Sequence, residues 1–242
     1  MPVPETPETP WLSIIVPTLN EEKALPETLA RIARCAPSAE IVLVDGGSTD
    51  GTRAVYERFV ARSAQPVRWI DSARGRGRQM NAGAAAGRGE VLLFLHADTL
   101  LPDDSERHLR RALRDPRIRG GNFRLAFTPR SALSDFYARC YNLRSRWHVF
   151  YGDSGLFVRR ETFVALGGYR ADRLMEDVEF IGRLRRHGGL TFLGQATVVT
   201  SARRFHGTRR GLTMLFVWLL LHALMALGVS QETLERLYPP RR

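Results

Sequence analysis

Between residues 12 and 95 short apolar runs alternate with helical patterns, and that alternation leaves few folds open. Leu12 to Val16 is a strand closed by Pro17, and Pro26 to Ile32 then shows helical spacing with proline in the first turn. Glu40 to Val44 is a near-continuous apolar strand, Gly46 to Gly51 a turn cluster, and Thr52 to Ala61 a helix with Val55, Phe59 and Val60 on one side. Val67 to Ile70 is a third strand, the Gly- and Ala-rich stretch from Gly77 to Gly87 a helix, and Val91 to Leu95 a fourth strand. Strands apolar on both faces and separated by helices require a mostly parallel sheet covered on both sides.

Beyond residue 100 the alternation loosens. Helices are expected over Ser105 to Leu113, Ala132 to Trp147, from Glu161, and over Met175 to Arg186. The last of these carries acidic residues in its first turn and arginines in its last, as the helix dipole prefers. Short strands are expected over Asn122 to Phe127, Gly155 to Val158 and Thr197 to Thr200. Leu212 to Val229 is apolar almost throughout, and Gln231 to Leu237 reads as a closing helix. The organisation is then a flexible lead-in over 1–10, one α/β domain over 11–206 and an apolar helical extension over 207–242. Within the domain, residues 11–100 form the nucleotide-binding-like half and 101–206 the more irregular half.

The formal charge of +11 falls almost wholly on arginine, since Lys23 is the only lysine. That balance invites phosphate ligands, an anionic membrane surface or nucleic acid without choosing among them. Against nucleic acid, the arginines are not interleaved with aromatics as a stacking platform would require. Cys35 and Cys140 stand far apart in no metal-binding pattern, and the lead-in has no signal-peptide character, so a reducing, cytoplasmic setting is expected.

Ligands of open parallel sheets bind beyond the carboxyl ends of the strands. The first strand delivers Thr18, Asn20, Glu21 and Glu22 there, the second Asp45 and its turn, and the fourth His96 and Asp98. The turn after Asp45 is open to a plainer account as a helix cap. Asp98 at a strand tip suits Mg²⁺ or Mn²⁺ held by one carboxylate plus substrate phosphates, with a capping role as the alternative. Arg74, Arg76 and Arg78, spaced by glycines at a helix start, form either a phosphate cradle or a solvated basic loop.

Four segments in order, Ile15-Val16-Pro17-Thr18-Leu19-Asn20-Glu21-Glu22, Val44-Asp45-Gly46-Gly47-Ser48-Thr49-Asp50-Gly51-Thr52, Gly75-Arg76-Gly77 with Asn81 and Gly83, and Phe94-Leu95-His96-Ala97-Asp98, resemble the signature of family 2 glycosyltransferases of the GT-A fold. The similarity continues through Gly155 to Arg160, Gly167-Gly168-Tyr169 and Glu176-Asp177, and within the family the chain looks most like a bacterial subgroup associated with arsenosugar biosynthesis. The resemblance implies a Rossmann-like, mostly parallel sheet, and an inverting transfer from a nucleotide-diphosphate sugar to an acceptor hydroxyl. It puts Asp45 on the nucleotide base, with Thr18 and Glu22 lining the base and ribose pocket. Pro17, Asn20, Gly46 and Ser48 are expected beside them, and Arg76, Gly77, Asn81, Ala97, Arg203 and Arg204 around the rest of the donor. The metal-binding DxD motif falls on His96-Ala97-Asp98, where histidine replaces the first carboxylate, and His206 is the candidate late ligand or a surface histidine. Asp177, with Glu176, falls on the position of the catalytic base, although helix-dipole stabilisation alone also accounts for an acidic first turn. Asp153, Ser154 and Gly155 are expected to face the acceptor.

Leu212 to Val229 has the length of a minimal membrane span but contains Thr213 and His222. Packing, or peripheral contact of residues 209–229 with anionic lipid, is the expectation, aided by Arg203, Arg204, Arg209 and Arg210. A nucleotide-sugar-binding relative without catalysis is the principal alternative, and an arginine-rich nucleic-acid binder a weaker one.

Overall fold

The computed structural model describes residues 10–170, 175–205 and Leu220. Its strands are β1 (Leu12–Thr18), β2 (Glu40–Asp45), β3 (Val67–Asp71), β4 (Val91–Phe94), β5 (Thr99–Leu100), β6 (Gly120–Thr128), β7 (Leu156–Arg159) and β8 (Leu190–Ser201). The helices are α1 (Leu25–Cys35), α2 (Thr52–Val60), α3 (Arg76–Ala86), α4 (Ser105–Ala112), α5 (Ala132–Ser145), α6 (Arg160–Ala165) and α7 (Glu176–His187). All eight strands join one sheet in the order β3-β2-β1-β4-β7-β6-β8-β5.

The first four strands lie parallel, and the inner ones show the two-sided burial that goes with this: every residue of β2 and β4 is buried, while β3 at the edge is only half-buried. β7 runs antiparallel to both β4 and β6, and β5 antiparallel to β8, so the second half is mixed. β8 begins at Leu190, well before the expected Thr197. Phe123 pairs with Leu193 but Arg124 with Thr197, so Gly194, Gln195 and Ala196 form an irregularity that breaks the apolar run in the sequence. β5 is too short for any periodicity, yet its Thr99 hydroxyl lies 2.8 Å from that of Thr200 in the interior.

The small residues of α3 have a packing reason. A Cβ at Gly83 would come within 2.4 Å of Ile15 Cγ2 and 2.9 Å of Val44 Cγ2, so only glycine lets the helix sit this close on β1 and β2. Close packing brings the start of α3 to the carboxyl ends of those strands. At the opposite edge a buried carboxylate ties the strands together. Glu40, 1% exposed, accepts hydrogen bonds from the Ser13 hydroxyl at 2.6 Å and from the Arg88 and Gly89 amides. Its Oε2 lacks a hydrogen bond and is balanced by Arg68 and Arg88, each 3.6 Å away.

Burial alone would raise the pKa of Glu40, but the Ser13 hydroxyl, the two amides and Arg68 outweigh it and hold the group below its ordinary 4.5. The stabilisation is therefore complete above the unfolded value and lost as pH falls through the depressed folded value. We expect the melting temperature of the protein to drop with acidification below about pH 4.5, and less steeply in Glu40→Gln; equal slopes in a pH series of thermal melts would contradict this.

Arginines supply many internal struts. Arg159 donates to Ile118 O and Leu113 O, Arg160 to Gly89 O and Ala84 O, and Arg183 to Leu166 O and Gly168 O. Part of the basic balance thus serves the backbone of this chain. Cys35 is buried and Cys140 exposed, both as free thiols. Among the described residues no helix is long and apolar enough to cross a membrane. Apart from Leu220, the expected apolar helix over Leu212 to Val229 lies outside the described residues.

Candidate functional site

The carboxyl ends of β1 and β2 are joined by reciprocal hydrogen bonds between the loops that follow them. Asp45, 5% exposed, accepts from the Gly47 and Ser48 amides at 2.9 and 2.8 Å, while the Ser48 and Thr18 hydroxyls approach its other oxygen. Asn20 has a left-handed backbone, φ 56°, which lets its side chain accept from the Thr49 amide while its own amide donates to the Ser48 hydroxyl. Glu22 accepts from the Gly51 amide at 2.8 Å, and its amide donates to Asp50. The plainer expectation of a helix cap is not met at the N-cap of α2, Gly51, which has no side chain to cap with; instead the carboxylate of Asp45 organises its own loop, and that loop forms a wall at the strand ends.

Gln79 completes that wall and was not anticipated from the sequence. Its Nε2 donates to Thr18 O and Val44 O, both at 2.8 Å, and its amide lies against Gly46, where a Cβ would meet it at 3.1 Å. The available signal was a polar residue at a buried position of a small-residue helix.

Past β4, the turn His96-Ala97-Asp98 is anchored by the Thr28 hydroxyl donating to Ala97 O at 2.8 Å. The Asp98 carboxylate is mostly buried and lies 3.1 Å from Arg203 Nε. Arg203 also grips Glu21 with both terminal nitrogens, at 3.0 and 2.6 Å, so one guanidinium links the ends of β1, β4 and β8. Hydrogen bonding to Glu21, aided by Asp98, raises the Arg203 pKa against its burial. His96 Nδ1 stands 3.4 Å from Asp153 Oδ1, joining the β4 turn to the short helical turn Gly152–Ser154.

A third group assembles where α3 meets α7. Arg76 Nε donates to Glu176 Oε1 and Nη2 to Asp177 Oδ2, both at 2.9 Å. The Gly152 amide donates to the same Asp177 oxygen at 2.9 Å, and the Val178 amide to the other. Burial would lower the Arg76 pKa, but Asp177, Glu176 and Asp153 together raise it further above its ordinary value. Burial raises the Glu176 pKa despite Arg76. Removing Arg76 leaves two buried carboxylates without their cation, so Arg76→Met should cost about 3 kcal/mol in urea unfolding, and Arg76→Met combined with Glu176→Gln should recover part of it. Unchanged stability of the single variant would contradict this pairing.

Residues 13–163 match the profile of glycosyl transferase family 2. The chain belongs to that family. Over 94 residues it is 42% identical to a PGL/p-HBAD biosynthesis glycosyltransferase of Mycobacterium tuberculosis, covering 38% of this chain and 37% of the relative. Over 100 residues it is 36% identical to the undecaprenyl-phosphate 4-deoxy-4-formamido-L-arabinose transferase of Pseudomonas fluorescens, covering 39% and 30%. The chain thus matches about a third of the length of these curated relatives. Its fold matches that of the mannosyltransferase PcManGT from Pyrobaculum calidifontis, solved with GDP-Man and Mn²⁺, with TM-score 0.64 and 25% identity over 78% of this chain and 56% of that one. The fold is that of the GT-A glycosyltransferases, a mixed sheet whose first four strands run parallel.

In this family 2 chain several of the expected site residues make structural bonds of their own. Asn81 bonds the Tyr169 backbone at both ends, Nδ2 to the carbonyl at 2.7 Å and Oδ1 to the amide at 2.9 Å, and so braces the Gly167-Gly168-Tyr169 turn. Ser154, expected beside the acceptor, is fully buried, its hydroxyl bonded to Tyr141, Asn122 and Tyr151 O because the turn folds inward under α5. Gly155 follows it in a left-handed conformation against Phe123. Arg76, expected on the donor, is paired with the α7 carboxylates. Gly77 is buried at the start of α3, Pro17 half-buried in β1, and Arg204 lies in the helical turn Ala202–Phe205. His206 lies outside the described residues.

No group of three His, Cys, Asp or Glu side chains among the described residues could hold a metal ion by itself. The donor set at the β4 turn is one carboxylate, Asp98, with an imidazole two positions before it. That chemistry fits a hard divalent cation held chiefly by phosphate oxygens and anchored by a single carboxylate, and it does not fit an all-protein cage.

Proposed function

We propose that the chain is an inverting glycosyltransferase, of hexosyltransferase type, that moves a sugar from a nucleotide-diphosphate sugar to an acceptor hydroxyl. Within family 2 we assign it to the bacterial subgroup associated with arsenosugar biosynthesis, with 11–206 as the catalytic domain and 207–242 as an extension. The observation that carries the reaction is that Asp45 and Asp98 stand at the carboxyl ends of β2 and β4, while Arg76 ties Asp177 to the start of α3, whose Gln79 bonds the ends of β1 and β2. The solved relative with GDP-Man and Mn²⁺ supports the donor class and the cation.

In this account the rigid wall of Thr18, Glu22, Asp45 and Ser48 receives base and ribose. Asp98, with His96 and His206 as further candidates, would hold Mg²⁺ or Mn²⁺. When bound, that ion neutralises the diphosphate as it departs. Asp177 takes the proton of the acceptor hydroxyl as that oxygen forms its bond to the anomeric carbon, while the bond from that carbon to the diphosphate oxygen breaks on the opposite face. A carboxylate has about four acceptor positions, and the bonds from Arg76, Gly152 and Val178 use three, so Oδ1 keeps room for the hydroxyl. Arg76 and the Gly152 amide hold Asp177 in place and supply the positive field that keeps it oriented. Asp153 and Gly155 line the acceptor side. The acceptor is an alcohol, on a small molecule or a lipid, and residues 209–229 contact an anionic membrane surface from the cytoplasmic side.

The test is release of nucleoside diphosphate from a panel of nucleotide-sugars, with water or added alcohols as acceptor and with Mn²⁺ present or chelated. Metal-dependent release of sugar with inverted anomeric configuration is expected. Donor binding without any turnover would instead mark a non-catalytic relative, which replacement of the first DxD carboxylate by His96 makes worth testing.

A further inference from the structure

We infer that the outer face of α5 is a membrane-docking surface that seats the protein on an anionic bilayer, separately from residues 209–229. Among the described residues the face is apolar and has no partner: Phe136, Leu143 and Trp147 are 59%, 51% and 65% exposed, and Cys140 between them is exposed as well. Positions 136, 140, 143 and 147 recur at helical spacing, with the helical path continued past Ser145 by the Trp147 amide donating to Arg144 O. A single exposed apolar side chain needs no explanation, but a stripe of phenylalanine, leucine and tryptophan on one helix does.

Charge identifies the occupant. Residues 130–147 hold four arginines and one aspartate, and Asp135 is already paired with Arg130 at 2.8 Å. Arg139 and Arg146 flank one side of the stripe at helical spacing, while Arg144 on the other side lays its guanidinium over the Tyr151 ring at 5.6 Å. An apolar ridge with an indole at its end and guanidinium groups along its border is the composition of a helix lying in a lipid headgroup layer. Anionic lipid complements both components, the apolar ridge in the acyl boundary and the guanidinium groups in the headgroup layer.

The inner face of the same helix gives this surface a consequence. Tyr141 donates to Tyr151 O and accepts from the Tyr151 amide, both at 2.8 Å, and Asn142 bonds the Leu125 amide and carbonyl in β6. α5 is therefore clamped to the segment that leads into Gly152 and Asp153, and the turn Ala202–Phe205 packs beside it. Docking through the outer face would place that segment about one helix diameter, roughly 10–12 Å, from the lipid surface. Membrane binding itself does not depend on the transfer reaction.

Flotation of the full chain with phosphatidylcholine vesicles and with mixed phosphatidylglycerol–phosphatidylcholine vesicles tests the inference. Wild type is compared with Phe136→Ser/Leu143→Ser/Trp147→Ser and with Arg139→Glu/Arg146→Glu, each checked for an unchanged thermal melt. All five side chains are exposed, and both variants retain residues 209–229. Wild type should float with the anionic vesicles only, and each variant should bind at least about tenfold more weakly. An environment-sensitive fluorophore on Cys140 should shift to the blue on adding the anionic vesicles and stay unshifted with neutral ones. Absence of wild-type flotation overturns the inference. So does equal flotation of the apolar variant, which would place binding elsewhere, or a wild-type dimer that the apolar variant dissociates without any lipid binding.

Discussion

Asp177→Asn is expected to fold as the wild type does and to lose about 10²- to 10⁴-fold in sugar transfer, the range typical of a removed general base. The asparagine oxygen can still accept from the Gly152 amide, and Arg76 keeps Glu176 as its partner, so the local structure has no reason to collapse. What the variant lacks is an oxygen able to take the acceptor proton. Donor affinity should hold steady while kcat falls, since the substitution removes an interaction made in the transition state. Near-normal turnover would remove Asp177 from the proposed role, and the Glu176 carboxylate, whose pKa burial raises, would be examined next by Glu176→Gln.

Asp98→Ala should be the most damaging change at the donor end. Asp98 is the carboxylate at the tip of β4, and its proposed task is to anchor the cation that neutralises the diphosphate. Such stabilisation amounts to several kcal/mol, so kcat/KM should fall by about 10³-fold, with the response to Mn²⁺ displaced to higher concentration. Arg203 retains its two-pronged grip on Glu21, so the turn after β8 stays attached. If Asp98→Ala keeps both its rate and its Mn²⁺ response, the cation is held elsewhere or is not needed.

The parallel half of the sheet is legible from local pattern because β1, β2 and β4 are buried on both faces and therefore appear as unbroken apolar runs. β8 escaped recognition over its first half because the irregularity at Gly194 to Ala196 interrupts the same kind of run. The antiparallel direction of β7 is a matter of topology, and no residue within Leu156–Arg159 encodes it. At the site, Asp98 stands out because a carboxylate at the tip of a buried strand has few packing reasons to be there, whereas the roles expected of Asp45 and Asp177 come from the resemblance to family 2.

Which of these residues pair with one another is not readable in the sequence, because the links span long sequence separations. Gln79 reaches Thr18 across 61 positions and Arg203 reaches Glu21 across 182. Motif residues can also be structural, as Asn81 shows by bridging the backbone of Tyr169. The arginine excess divides in the same way: Arg76 and Arg203 bind carboxylates at the site, Arg159, Arg160 and Arg183 cap backbone carbonyls, and Arg139 and Arg146 border an exposed apolar stripe.

The central claim is that this family 2 chain binds a nucleotide-diphosphate donor through the β1, β2 and β4 loops with a divalent cation at Asp98. Its most direct test is a thermal-shift screen of nucleoside diphosphates and nucleotide-sugars with and without Mn²⁺. At about one hundred times the dissociation constant, binding to the folded state should raise the melting temperature by roughly 5–10 °C, with Mn²⁺ present and not without it. The shift should vanish in Asp98→Ala. No shift with any nucleotide, or an equal shift in Asp98→Ala, would contradict the account.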